Sequence, residues 1–177
     1  MVNRTGKRCS QSREDSAMTC GRNLLPSRPG TYCLLLSLPF TRRIRVGRRG
    51  SYRFPAGYYL YVGSACGPGG LRGRISHHLC PLARPHWHID YLRQAALLEE
   101  VWFAIGKSQE HAWATLLQGM TGTDIPMPRF GSSDCRCASH LFHLSLQRRP
   151  GRIRRCLPGE VRTYLPLPGE RIAGCDA

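Results

Sequence analysis

Hydrophobic and polar positions change period several times along this chain, and the changes divide it into elements. Thr31-Tyr-Cys-Leu-Leu-Leu-Ser-Leu38 is an apolar run bounded by Pro29-Gly30 and Pro39. Such a run, too short for a typical helix and rich in apolar side chains on both parities, predicts a strand buried on both faces. Arg43-Ile-Arg-Val46 and Ser51-Tyr-Arg-Phe54 alternate at period two around Gly47-Arg-Arg-Gly50. That pattern predicts a hairpin whose outward Arg43, Arg45 and Arg53 form one basic face, either a DNA contact or a solubilising edge. After Pro55-Ala-Gly57, residues 58 to 63 read as another strand, with Tyr59 and Tyr61 on one face and Tyr58, Leu60 and Val62 on the other. One tyrosine pair is then expected to face a polar site or solvent.

The period next lengthens to that of a helix. Gly67-Pro-Gly-Gly70 makes a turn into a helix over 71 to 79, and a second helix begins near His88 with Ile89, Leu92, Ala96 and Leu97 as its stripe. A strand over 101 to 105 and a helix over 108 to 118, N-capped by Ser108, follow. The order strand, hairpin, strand, helix, helix, strand, helix predicts an α/β chain of the α+β type, with a small antiparallel sheet and helices packed on it.

Length and composition set the frame around these elements. A chain of 177 residues with 41% hydrophobic content fits one folded domain. We expect a polar N-terminal tail at 1 to 28, a domain at 29 to 147 and a basic Pro/Arg-rich tail at 148 to 177, neither tail building core. The formal net charge of +15 favours polyanionic partners, DNA above all. All basic residues except Lys7 and Lys107 are Arg, a skew that suits bidentate phosphate contacts and that coding composition explains equally well. No apolar run approaches the length of a membrane span, and residues 1 to 28 lack the apolar core of a secretory signal, so a soluble, cytoplasmic protein with no membrane partner is expected. The nine cysteines are then expected as thiols or metal ligands rather than disulfides.

Candidate chemistry gathers on the helices and the loop that follows them. Arg74 and His78, four apart, share a helix face and suit phosphate binding and proton transfer, with Arg72 as a competing cation. Glu110, near the start of the third helix, is either a carboxylate favoured by that helix end or a hard oxygen ligand for Mg²⁺. Acids are scarce in the folded part, namely Asp90, Glu99, Glu100, Glu110, Asp124 and Asp134, and the scarcity favours the second alternative. Cys135, Cys137 and His140 offer three soft ligands, with His86 or His88 as a fourth for tetrahedral Zn²⁺; two buried thiols beside a hydrogen-bonded His is the other reading. In Pro85-His-Trp-His-Ile-Asp90, Trp87 and Ile89 are expected in the core, and His86 and His88 as DNA-facing candidates.

Gly30-Thr-Tyr32, Tyr61-Val-Gly63-Ser-Ala65, Leu71-x-x-Arg74 and His78 resemble the GIY-YIG nuclease superfamily, which includes the incision domain of the excinuclease C subunit and homing endonucleases. Longer blocks, 54 to 65, 85 to 91 and 131 to 142, are similar to its Uri-type branch, a small domain sometimes attached to endonuclease III. The resemblance spans residues 29 to 146, about two thirds of the chain. It implies a central three-stranded antiparallel sheet and hydrolysis of a DNA phosphodiester with one Mg²⁺ (or Mn²⁺), in DNA repair or processing and with a repair protein as a candidate partner. By position it implies Tyr61 as the base or base-positioning phenol with Tyr32 beside it, Arg74 as phosphate clamp, His78 as an assisting group and Glu110 as metal ligand. The chemistry is coherent: a cation near a phenol lowers its pKa toward usefulness as a base, and Arg74 and the metal oppose charge developing at phosphorus.

Two positions depart from the superfamily pattern. Thr31 stands where its name has Ile, and its late Asn has no counterpart beyond the Ser132-Ser133-Asp134 region. Two other classes of function remain in view: a non-catalytic nucleic-acid-binding module using the same basic groove, and a zinc-stabilised interaction domain.

Overall fold

The computed structural model describes residues 25–80, 85–148 and 150–166. The expectation of a polar tail therefore lies, for residues 1–24, outside the described residues. Strand β1 (Gly30–Leu38) lies at the centre of a six-stranded sheet, antiparallel to β4 (Gly57–Ser64) on one side and β5 (Leu97–Ile105) on the other. Beyond β4 come β7 (Leu141–Leu144) and β6 (Thr123–Asp124), and beyond β5 comes β8 (Arg162–Tyr164), giving the order β6-β7-β4-β1-β5-β8. The three expected strands are thus the middle of a wider antiparallel sheet in an α+β fold. Its short edge strands carry little apolar pattern of their own.

The β1 run lacks alternation because both of its faces are covered. Leu34, Leu36 and Leu38, with Tyr32, Tyr59 and Tyr61, pack beneath helix α1 (Gly70–Leu79) and helix α2 (His88–Arg93). Cys33 and Leu35, with Leu60, Val62 and Trp102, pack beneath helix α3 (Glu110–Gly119), where Trp113, Ala114 and Leu117 supply the apolar stripe. The strands β2 (Arg42–Arg45) and β3 (Ser51–Phe54) form the expected hairpin, turned so that Val46 and Phe54 enter the first core and Arg43, Arg45 and Arg53 stay exposed.

Several expectations change. Leu97 does not extend the second helix: α2 ends at Arg93, and Leu97 opens β5 with its side chain 65% exposed. Ser108 is not the helix cap. Helix α3 begins at Glu110, and the buried Thr31 hydroxyl, 2.7 Å away, accepts the Gln109 amide instead. Part of the expected basic tail is core, because a short helix α4 (Gly151–Arg154) buries Ile153, and Leu157 and Tyr164 are buried after it. Three apolar residues spaced among arginines were enough to fold this segment onto the second face and the β5 edge. Cys33, Cys66, Cys135, Cys137 and Cys156 are free thiols, but Cys80 is disulfide-bonded, against the expectation of thiols or metal ligands rather than disulfides. No helix among the described residues is long and apolar enough to cross a membrane.

Candidate active site

The two tripeptides meet across the β1/β4 ladder, where Tyr32 is the partner of Gly63. That pairing explains the glycine. A Cβ at Gly63 would lie 2.4 Å from the Tyr32 ring, so a side chain there would expel the ring from its place. Gly30 is constrained in the same way, since its Cβ would lie 2.3 Å from the Ala104 carbonyl oxygen and against Leu71 of α1. The glycines therefore let aromatic and helical side chains lie directly on backbone.

Tyr32 is buried, and a hydrogen bond of 2.8 Å joins its hydroxyl to Nε2 of the fully buried His78. His78 also meets the Tyr61 ring edge to face, with centroids 6.3 Å apart. Burial holds the His78 imidazole well below its usual pKa, and the neighbouring Arg93, His77 and Arg74 push the same way, so it is neutral. It faces inward to the phenols and not outward beside Arg74, which makes it a support for Tyr32 rather than a phosphate contact.

Tyr61 keeps 9% of its surface and is bordered by Phe130 and by Gly131, whose Cβ would lie 2.9 Å from the Tyr61 ring. The tyrosine pair is thus not turned to solvent, and Tyr59 is fully buried with its hydroxyl donating to the Pro55 carbonyl. Burial first, then the Glu110 carboxylate, raises the Tyr61 phenol above its ordinary pKa, while Arg74 pulls it down without prevailing. Tyr32 is raised by burial and then by Tyr61. Both phenols are therefore neutral hydroxyls, and both feel the opposing charges of Arg74 and Glu110.

Arg74 is half-buried, its guanidinium 4.5 Å from the centre of the Trp87 ring. Trp87, expected in the core, is partly buried and packs against its edge, meeting His77 and His86 edge to face and offering a face to Arg74, while Ile89 is fully buried. Arg74 forms no ion pair among the described residues, and it lines a pocket of about 380 Å³ floored by Gly67, Gly70 and Gly73. An unneutralised guanidinium beside the exposed, side-chain-free backbone of Gly67 and Gly73 suits a phosphate. Arg72 is exposed, and its amide donates to the Pro26 carbonyl.

Glu110 opens α3, held in place by the Thr31 bond just before it, and its side chain is 20% exposed. The departure from Ile at position 31 thus has a structural task. Glu110 Oε1 lies 3.3 Å from Nδ1 of the buried His140, close but not aligned for a hydrogen bond. His140 Nε2 in turn lies 3.4 Å from Cys135 Sγ. Around this point His111, Cys135, Cys137 and His140 each offer a ligand atom, all within 4.8 Å of one another. The Cys137 thiol is pushed up to about 11 by burial, by its hydrogen bond with Cys135 and by the nearby acids.

Of the histidines expected as fourth ligand or DNA contact, His88 is committed elsewhere, its Nδ1 accepting the Gly131 amide at 3.1 Å, and His86 is exposed against Trp87. His111 takes their place. It was missed because it lies 24 residues before Cys135 on a different element, although its position one residue after Glu110 was a signal. Arg129 was missed as well. At a left-handed φ of 60° it donates from Nη1 to the Cys135 and Cys137 carbonyls and from Nη2 to the Ser133 carbonyl, folding the loop around its guanidinium. Asp134, in the region considered for the missing Asn, is exposed and adds to the negative field at Tyr61.

Residues 31–158 match a family model described as a domain of unknown function, DUF123, and the match takes in every candidate site residue. No curated protein and no solved structure matches the chain.

Proposed function

The chain belongs to the DUF123 family, and we propose that it is a divalent-metal-dependent DNA endonuclease, in keeping with its resemblance to the GIY-YIG nucleases. The observation that carries the reading is that the charges of Arg74 and Glu110 both act on the Tyr32–Tyr61 pair, in opposite senses, while the two form no ion pair with each other. A purely structural design would have neutralised the one with the other, because an unpaired charge near a core is costly. Here the cation stays free for a phosphate, and the carboxylate, with Oε1 beside His140, keeps its other oxygen for a cation.

A single partly exposed carboxylate fits Mg²⁺ or Mn²⁺, which keeps most of its water and takes one or two protein oxygens. When bound, such an ion would supply Lewis-acid stabilisation of charge at phosphorus and acidify its water. Glu110 would hold it, fixed by the Thr31–Gln109 bond behind the helix start. Arg74, braced on Trp87, would grip a phosphate oxygen. Tyr61, kept neutral by burial and by Glu110, is a hydroxyl that orients the attacking water through a hydrogen bond, and it becomes a base only if the Glu110 charge is compensated. Tyr32 and His78 hold Tyr61's surroundings rigid. The exposed arginines of the hairpin extend the anion-binding surface, and Arg49 at its tip donates to the Pro128 carbonyl of the loop beside Tyr61.

The test is cleavage of supercoiled, branched and damaged DNA across a Mg²⁺ and Mn²⁺ titration. Glu110→Gln and Arg74→Ala should each lower cleavage by about 10²-fold or more. Wild type and the double variant cutting alike would overturn the reading. One observation favours a second reading, a binding module without catalysis: the raised pKa of Tyr61 leaves no ready base in the metal-free protein. That module would bind DNA tightly and salt-sensitively with no metal dependence.

A further inference from the structure

The geometry points to a zinc site of its own, formed by His111, Cys135, Cys137 and His140, which clamps the 127–140 loop to the start of α3. This inference does not rest on the nuclease reading. Two thiolates and two imidazoles are a ligand set that zinc takes in tetrahedral geometry, and the neutral complex they form is suited to partial burial. With zinc–sulfur bonds of about 2.3 Å and zinc–nitrogen bonds of about 2.0 Å, the edges of such a tetrahedron are roughly 3.3–3.8 Å. The Cys135 Sγ to His140 Nε2 separation of 3.4 Å already has that length, and all four ligand atoms fall within 4.8 Å. Closing the rest needs about an ångström of movement in exposed or partly exposed side chains, since His111 is exposed and both cysteines are half-buried.

Three features set this cluster apart from a chance meeting of soft side chains. First, the ligands come from three separately anchored places: His111 from the first turn of α3, the cysteines from a loop fixed by Arg129, and His140 from the entry to β7. Second, His140 is 2% exposed, with Nε2 turned to Cys135 and Nδ1 facing the Glu110 carboxylate. Carboxylate, imidazole and metal in that order is the arrangement that fixes the ring and raises its basicity in metal sites. Third, His111 and Cys137 line an open pocket of about 410 Å³, which gives an ion a path from solvent.

The consequence reaches the neighbouring site. Zinc bound here would draw His140 and Glu110 into a fixed relation, so that one carboxylate backs the zinc through His140 while its other oxygen remains for a hard cation.

The test uses the full reduced chain without DNA. Zinc loading followed by removal of excess should leave one zinc per chain by elemental analysis. Cobalt in its place should show the thiolate charge-transfer band and strong visible bands of a tetrahedral site. His111→Ala changes an exposed helix residue and should leave the far-ultraviolet circular dichroism intact while weakening zinc by more than about tenfold. Cys137→Ser should remove most of the charge-transfer band, and Glu110→Gln should weaken zinc by about tenfold. Cys66→Ser and Cys156→Ser, at exposed thiols elsewhere, should change nothing. Zinc well below one per chain, a cobalt spectrum without the thiolate band, binding unaffected by His111→Ala and Cys137→Ser, or a native Cys135–Cys137 disulfide would each overturn the inference. Because metal content is the readout, an inactive nuclease would leave this result standing, and an empty zinc site would leave the cleavage test standing.

Discussion

The β1/β4 strand pair and the 127–140 loop border the same side chains, yet they are held together by opposite means. In the strand pair, register alone places Tyr32 over Gly63, and one buried hydrogen bond to His78 completes the arrangement. The loop has no regular structure through its middle and takes its shape from distant groups. His88 accepts the Gly131 amide, the Phe130 carbonyl accepts the His140 amide, and Arg129 gathers three carbonyls. The strand pair is thus a packing device that tolerates no added atom, and the loop a device shaped by polar partners, none of which it can lose without consequence. Substitutions should separate the two cleanly.

The largest effect is expected from Gly63→Val. Two methyl groups and a Cβ cannot share space with the Tyr32 ring at 2.4 Å, and both sit in a ladder that cannot shift alone. Overpacking of this kind costs about 3 kcal/mol, and urea unfolding should show it equally with and without zinc. A loss under about 0.5 kcal/mol, or one that zinc repairs, would mean that the strand pair is as yielding as the loop.

The same contrast explains what could be read from the sequence. The apolar run at 31–38, the alternating hairpin and the Tyr59/Tyr61 face were legible because period and register are local properties. The wider sheet was not: β6 and β8 are two and three residues long, and strand pairing rather than pattern defines them. Ile153, Leu157 and Tyr164 were hidden among arginines, where composition argued for a tail. At the site, Cys135, Cys137 and His140 stood out through their spacing. His111 could be joined to them only by knowing that α3 starts beside the loop, and that start is fixed by Thr31, 78 residues earlier than the amide it holds. Trp87 packs against the core as expected, but that its exposed side carries Arg74 could not be read from a tryptophan flanked by histidines.

A smaller effect, of about 2 kcal/mol, is expected from Tyr32→Phe, which leaves His78 Nε2 buried without its partner. The same imidazole gives the fold an acid limb. Burial keeps His78 neutral in the folded state, whereas the unfolded chain takes up a proton near pH 6.5, so protons favour unfolding. Stability should therefore be full above about pH 6.5 and fall below it, by at most about 1.4 kcal/mol per pH unit from this group. His78→Gln, which retains a partner for Tyr32, should flatten that limb in a series of thermal melts. An unchanged slope would show that His78 is accessible to protons in the fold, and the strand pair would then be less closed than its packing indicates.

The smallest effect on stability, about 1 kcal/mol, is expected from Thr31→Val, and it bears most directly on how the two regions are connected. Thr31 belongs to the strand pair, but its hydroxyl holds the Gln109 amide at the start of α3, and the next two residues are Glu110 and His111. Valine preserves volume and β-propensity while leaving that amide without its acceptor, so the sheet should remain intact and the helix start should loosen. Glu110 and His111 would then lose position together. Zinc affinity and metal-dependent cleavage should both decline in Thr31→Val and both be kept in Thr31→Ser, which retains the hydroxyl. Equal behaviour of the valine and serine variants would show that the two regions are joined by packing alone. A decline in cleavage with zinc affinity unchanged would place Glu110, but not His111, under the control of the strand.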